Sequence, residues 1–64
     1  MKVNGETCEF KNGESVAGLL NRRGDDKDRV VVELNLEILK KEQYKTVFLR
    51  DGDEVEILRF MGGG

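Results

Sequence analysis

The chain has no histidine, no tryptophan and no proline, and a single cysteine among its 64 residues. Each absence removes chemistry. Without imidazole there is no Ser-His or Cys-His pair to activate a nucleophile, and no nitrogen ligand for a metal. One thiol makes neither an internal disulfide nor a multi-thiolate metal site. Self-contained catalysis is therefore not expected. Charge of one sign is also lacking: Lys and Arg number 11 against 13 Asp and Glu, for a formal net charge of −2. With no basic block, a nucleic-acid partner is not expected. Apolar runs last only a few residues, against the roughly 20 that a membrane helix needs, and no cationic leader precedes one. The expectation is a soluble cytoplasmic protein with no membrane attachment.

What is present reads as one small domain. At this length a chain buries only about 60% of its unfolded surface, so the core must be small and well filled. The opening residues alternate around Asn4-Gly5. Asn-Gly is the favoured centre of a two-residue hairpin because both residues tolerate positive φ. Strands near residues 1–4 and 6–10 are predicted to pair antiparallel, ended by a second Asn-Gly at Asn12-Gly13. Cys8 falls on the same side as Phe10 and reads as a small buried apolar residue, since no nearby cation lowers its pKa.

Ser15 is placed as an N-cap, Val16, Leu19, Leu20 and Arg23 recur at helical spacing, and Gly24 is placed to close a helix over 15–23. Gly18 inside that helix costs about 1 kcal/mol relative to alanine, so packing of the apolar face has to hold it. The mixed charge run from Asp25 to Arg29 reads as a solvated loop and receives no function. Residues 30–35 read as a half-buried strand with Val30, Val32 and Leu34 inward, and Leu36, Ile38 and Leu39 continue the apolar supply. Residues 40–45 are polar and irregular, or a single helical turn, before Val47-Phe48-Leu49. Asp51-Gly52-Asp53 is a strong turn signal, and residues 54–60 form the most strand-like stretch.

One helix cannot cover both faces of a sheet, so it is predicted to lie across one face of a four-stranded mixed sheet. That α+β arrangement is the β-grasp, or ubiquitin-like, fold, with the first and last strands side by side at its centre. It assigns residues 1–61 to the domain and Gly62, Gly63 and Gly64 to a flexible tail.

The tail admits a functional and an idle reading. Three extended residues reach about 10 Å, and glycines pass through channels too narrow for a side chain. The terminal carboxyl, with an ordinary pKa of about 3.5, is ionised and inert until activated. An ATP-using partner would convert it to an acyl-adenylate, open to a sulfur or amine nucleophile. The idle reading is a frayed terminus.

In the last strand Val55 and Ile57 point one way, and Leu58 and Phe60 point to the face that no helix covers. Either they stay exposed as an apolar docking patch beside the tail, with Met61, or the loop carrying Tyr44 and Phe48 folds over them.

The sequence resembles the ThiS family of sulfur carriers nearly end to end. The likeness is carried by VNGE over residues 3–6, SVAGLL over 15–20, VELN over 32–35 followed by Glu37-Ile38, and DGDEVEI over 51–57 leading into RFMGGG over 59–64. The family's minimum is two terminal glycines, which leaves Gly62 as a spacer before the matching pair Gly63-Gly64.

The resemblance implies adenylation of Gly64 by a ThiF-like enzyme with Mg-ATP, and conversion to a thiocarboxylate with sulfur from a cysteine desulfurase persulfide. Delivery to a ThiG-like thiazole synthase would follow. It further implies insertion of Gly62 to Gly64 into partner active sites, docking through Leu58, Phe60 and Met61, no cofactor on the carrier itself, and a monomer when free. Its rivals are a molybdopterin-type carrier resembling MoaD, a ubiquitin-like modifier that joins Gly64 to a target lysine, and a plain β-grasp binding module.

Overall fold

The computed structural model describes residues 1–60. The chain opens with a hairpin of β1 (Lys2–Val3) and β2 (Glu6–Thr7), in which Val3 pairs with Glu6 across a turn that holds Asn4 at φ 53° and Gly5 at φ 80°. The second strand is shorter than expected. Its ladder with β1 pairs Val3 with Glu6 and Lys2 with Thr7, and Cys8 N–H makes a last bond to Met1 O at 2.9 Å. Cys8 therefore lies outside the strand, half-buried, and packs against the core.

Helix α1 (Val16–Arg23) has the caps that the sequence implies. Ser15 Oγ accepts the Gly18 N–H at 3.1 Å. At the other end Gly24 is left-handed, Gly24 N–H donates to Asn21 O, and Asp25 N–H donates to Leu20 O, the paired bonds of a Schellman motif. Val16, Leu19 and Leu20 are its buried residues.

The remaining strands are β3 (Val30–Leu34), β4 (Glu37–Ile38) and β5 (Glu54–Arg59), and the sheet order is β2-β1-β5-β3-β4. Strand β5 runs parallel to β1 and antiparallel to β3. The first and last strands thus lie side by side, as expected of a β-grasp fold, with β5 at the centre.

The sheet has five strands rather than four. The chain reverses at Asn35 and Leu36, with φ of 50° and 72°, and returns as β4. No Asn-Gly pair signals that turn. It is held from outside: Asn35 Oδ1 accepts Glu54 N–H at 3.0 Å, Asn35 Nδ2 donates to Asp53 Oδ1 at 3.0 Å, and Asn35 N–H donates to Glu54 O at 2.8 Å. Leu36 and Ile38, expected to supply the core, are exposed instead.

The core joins Val3, Val30, Val32, Val55 and Ile57 from the sheet to the apolar face of α1, with Tyr44 and Leu49 from the long connection after β4. A short 3-10 turn at Lys41–Gln43 starts that connection. It then runs beside the N-terminus of α1, where Tyr44 O accepts Ala17 N–H at 2.7 Å and Val47 O accepts Val16 N–H at 3.0 Å. Two of the four orphan amides of the helix are satisfied in this way. No helix among the described residues is long and apolar enough to cross a membrane.

Candidate functional site

Strand register places the outward side chains on one face. Val31 lies opposite Leu58, Glu33 lies opposite both Glu56 and Ile38, and Lys2 lies opposite Glu54. The connection carrying Tyr44 does not cover this face, because Tyr44 is buried in the core and its backbone is committed to α1. Of the two alternatives for the last strand, exposure is therefore the one observed: Leu58 is 49% and Phe60 61% exposed.

The apolar surface is wider than the last strand alone predicts. Ile38, on the opposite edge of β3, is 70% exposed, and Leu36 at the hairpin tip is 92% exposed. Alternation along β3 was enough to place Val31 outward. The placement of Leu36 and Ile38 required the unforeseen turn. Leu36 is notable because a positive φ costs a leucine roughly 1–2 kcal/mol, and its side chain is directed into solvent.

Toward the other end the face becomes acidic. A shallow depression of about 310 Å³ is lined by Lys2, Glu33, Leu36, Glu54 and Glu56 among others. Like charges directly opposite each other, as at Glu33 and Glu56, disfavour the free sheet. Among the described residues no three His, Cys, Asp or Glu side chains converge as metal ligands.

The end of β5 is tied to the loop after α1. That loop holds a 3-10 turn, Lys27–Arg29, and is not the freely solvated run that its charges suggest. The Asp25 side chain is 0% exposed. Its Oδ2 accepts Arg23 Nε at 3.1 Å, and its Oδ1 accepts Arg59 Nε at 2.8 Å and also Arg59 Nη2. Beside it, Phe60 N–H donates to Arg29 O at 2.9 Å.

Two further ion pairs organise the surface. Arg22 clasps Glu14 through Nε at 2.8 Å and Nη2 at 3.0 Å, and hydrogen bonding to that carboxylate raises the guanidinium pKa. Lys41 Nζ lies 2.6 Å from Asp28 Oδ1; its hydrogen bond holds the Asp28 carboxyl below the usual carboxylate range, and the Lys41 ammonium is raised in return.

Of the residues singled out for function, Leu58 and Phe60 are thus placed at the exposed end of β5. Met61, Gly62, Gly63 and Gly64, and with them the expected boundary between domain and tail, lie outside the described residues.

Comparison with known proteins narrows the reading. The model of the ThiS family matches residues 1–64. The sulfur carrier protein ThiS of Bacillus subtilis is 37% identical over 65 aligned positions, an alignment covering 100% of this chain and 98% of that one. A thiazole synthase of Paramagnetospirillum magneticum is 45% identical over 62 residues, and one of Magnetococcus marinus is 34% identical over the same length. Those matches take in 97% of this chain, which spans only 19% of each thiazole synthase. A crystal structure of ThiS from Geobacter metallireducens superposes with a TM-score of 0.81 at 38% identity, covering 98% of this chain and 96% of that one. With the family matched from first residue to last and its fold shared, this chain belongs to the ThiS family.

Proposed function

We propose that this protein is a sulfur carrier of thiamine biosynthesis and that Gly64 is its reacting residue. The observation that carries the reading is the end-to-end alignment with the Bacillus carrier, which leaves neither chain with an unmatched segment of any size. An apolar face flanking the end of β5 supports it independently, since a carrier without catalytic side chains has to dock on the enzymes that act on it.

A carboxylate oxygen of Gly64 attacks the α-phosphorus of Mg-ATP on a ThiF-like partner, and pyrophosphate leaves. The acyl-adenylate is a mixed anhydride, so AMP is displaced when the terminal sulfur of a persulfide, made by a cysteine desulfurase, attacks the carbonyl carbon. A thiolate then attacks the donor's sulfur in the resulting acyl disulfide, which releases the thiocarboxylate and leaves a disulfide between that thiolate and the donor. Mg-ATP is the activating partner's substrate, and the carrier holds no cofactor of its own. The carrier acts as co-substrate, and its Gly62, Gly63 and Gly64 enter the partner's active site while Leu58, Phe60 and Met61 contact the partner's surface.

The sulfur is delivered to a ThiG-like thiazole synthase. Relatives named thiazole synthase that contain a stretch like this chain within a fifth of their length support such a partnership. The names of the Bacillus and Geobacter relatives favour the thiamine branch over a molybdopterin carrier or a protein modifier.

Intact-mass spectrometry tests the reading. After incubation with the adenylating enzyme, Mg-ATP, cysteine and the desulfurase, the chain is expected to gain the mass difference between one sulfur and one oxygen, located at Gly64. A chain that stays unchanged under these conditions, or that turns up in isopeptide linkage to other proteins, overturns it.

A further inference from the structure

The loop over residues 24–29 joins α1 to β3, and it also grips the end of the chain's last strand. Pairing of β5 with β3 stops at Val30 and Arg59. At that point two other attachments take over, the Arg59 guanidinium on Asp25 and the Phe60 amide on Arg29 O. Asp25 is the centre of this arrangement. Its carboxylate is covered completely and accepts N–H donors from Arg23 and Arg59, while the Arg59 side chain itself remains 62% exposed. An arginine that exposed adds little to the core, so what the contact chiefly supplies is a position for the strand's end.

On the carrier reading above, on which this inference rests, that position matters chemically. The reacting carbonyl belongs to Gly64, four residues past Phe60, and four residues span at most about 14 Å. How much of the chain end has to be ordered when a partner takes it up depends on how firmly Arg59 and Phe60 are already held. We propose that Asp25 is a positioning residue for activation of the carboxylate: by holding Arg59 it keeps the end of β5, through Phe60, ordered before a partner takes up the chain end. Loss of the Asp25 contact leaves the end of β5 held by the Val30–Arg59 pairing and the Phe60 amide alone, so that Arg59 and Phe60 spend more time detached. Those residues must then be ordered each time a partner takes up the chain end, a cost that weakens productive binding. Asp25 touches neither the carboxylate nor ATP, so the chemical step is unaffected.

The test is Asp25→Asn in the full chain, assayed by ATP–pyrophosphate exchange on the cognate adenylating enzyme with the carrier varied. The KM for the carrier is expected to rise about 5- to 30-fold, since two residues that are only partly loosened cost about as much to order as one that is free, with kcat unchanged. Arg59→Lys, which keeps the charge, is expected to fall between the variant and the wild type. Amide exchange of Phe60 should quicken in Asp25→Asn while Val32 and Ile57 keep their protection. An unchanged KM alongside faster Phe60 exchange removes the role from Asp25, and so does equal loss of protection at Val32 and Ile57, which would make the effect one of general stability. If the wild type supports no exchange at all, the carrier reading itself falls and takes this role with it.

Discussion

Asn4 and Ile57, 53 positions apart, are joined by a hydrogen bond in which the Ile57 N–H donates to Asn4 Oδ1 at 2.7 Å. The parallel ladder between β1 and β5 reaches Val3 and Val55, and Asn4 N–H donates to Val55 O at 2.8 Å. The side chain of Asn4 then extends the ladder by one more bond while its backbone, at φ 53°, makes the hairpin turn.

These two duties separate by substitution. Asn4→Gly keeps the positive φ and loses only the side-chain acceptor, leaving a partly buried N–H unmatched, so a loss of about 1–2 kcal/mol is expected. Asn4→Ala also strains the turn and is expected to cost about 1 kcal/mol more. Urea unfolding midpoints measure both, and equal losses would show that the turn carries no cost.

Asp53 and Asn35 form one network. Asp53 is buried, its Oδ2 accepts Arg50 N–H at 2.7 Å, and its Oδ1 accepts Asn35 Nδ2. Asp53→Ala and Asn35→Ala are each expected to destabilise by about 2 kcal/mol, with the double variant short of the sum by at least about 0.5 kcal/mol. Additive losses in a double-mutant cycle would show that the β3–β4 turn and the turn before β5 are independent.

Leu58 and Ile57 are neighbours on opposite faces, one exposed and one buried. Leu58→Glu is expected to leave the thermal unfolding midpoint nearly unchanged and to raise the KM of the thiocarboxylate form with thiazole synthase about 10- to 100-fold. Ile57→Glu should instead abolish folding. A Leu58→Glu carrier that delivers sulfur normally means that the open face is not where partners bind.

Removal of Gly63 and Gly64 is expected to leave the circular-dichroism melt as it was and to end sulfur acceptance. Every core residue that the structure describes lies upstream, whereas the shortened chain presents its carboxylate two residues too early. Sulfur acceptance by the shortened chain is the result that contradicts the assignment of Gly64.

The Asp28–Lys41 pair titrates in a predictable direction. Because the Asp28 carboxyl is lowered in the folded state, its contribution is complete above the unfolded value of about 3.9 and is lost as pH falls through the lower folded value. Lys41 is raised, so its contribution is complete below about 10.4 and is lost as pH rises through the higher folded value. Both side chains are largely in water, so the effect on stability is small, but carboxyl NMR shifts resolve it. Lys41→Met is expected to return Asp28 to the ordinary range; an unmoved Asp28 would show that the pair does not persist in solution.

What the sequence determined by itself were the features with local causes. Asn4-Gly5 makes a turn because both residues accept positive φ, Ser15 and Gly24 bound a helix because they satisfy its own orphan groups, and alternation along residues 54–59 separates Val55 and Ile57 from Leu58. One helix on one face then follows from the count of elements, and alternation offers Leu58 and Phe60 to the opposite face without deciding whether a loop covers them. Tertiary structure decided whatever depends on partners far away in the chain. The turn at Asn35 and Leu36, which adds the fifth strand and exposes Leu36 and Ile38, is held by Asp53 and Glu54. The connection through Tyr44 goes to the helix because two unpaired amides wait there, and that choice leaves the open face bare. Asp25 looked like one charge in a solvated run, since its partner Arg59 lies 34 positions away and a charge pattern read within a few residues has no access to that separation.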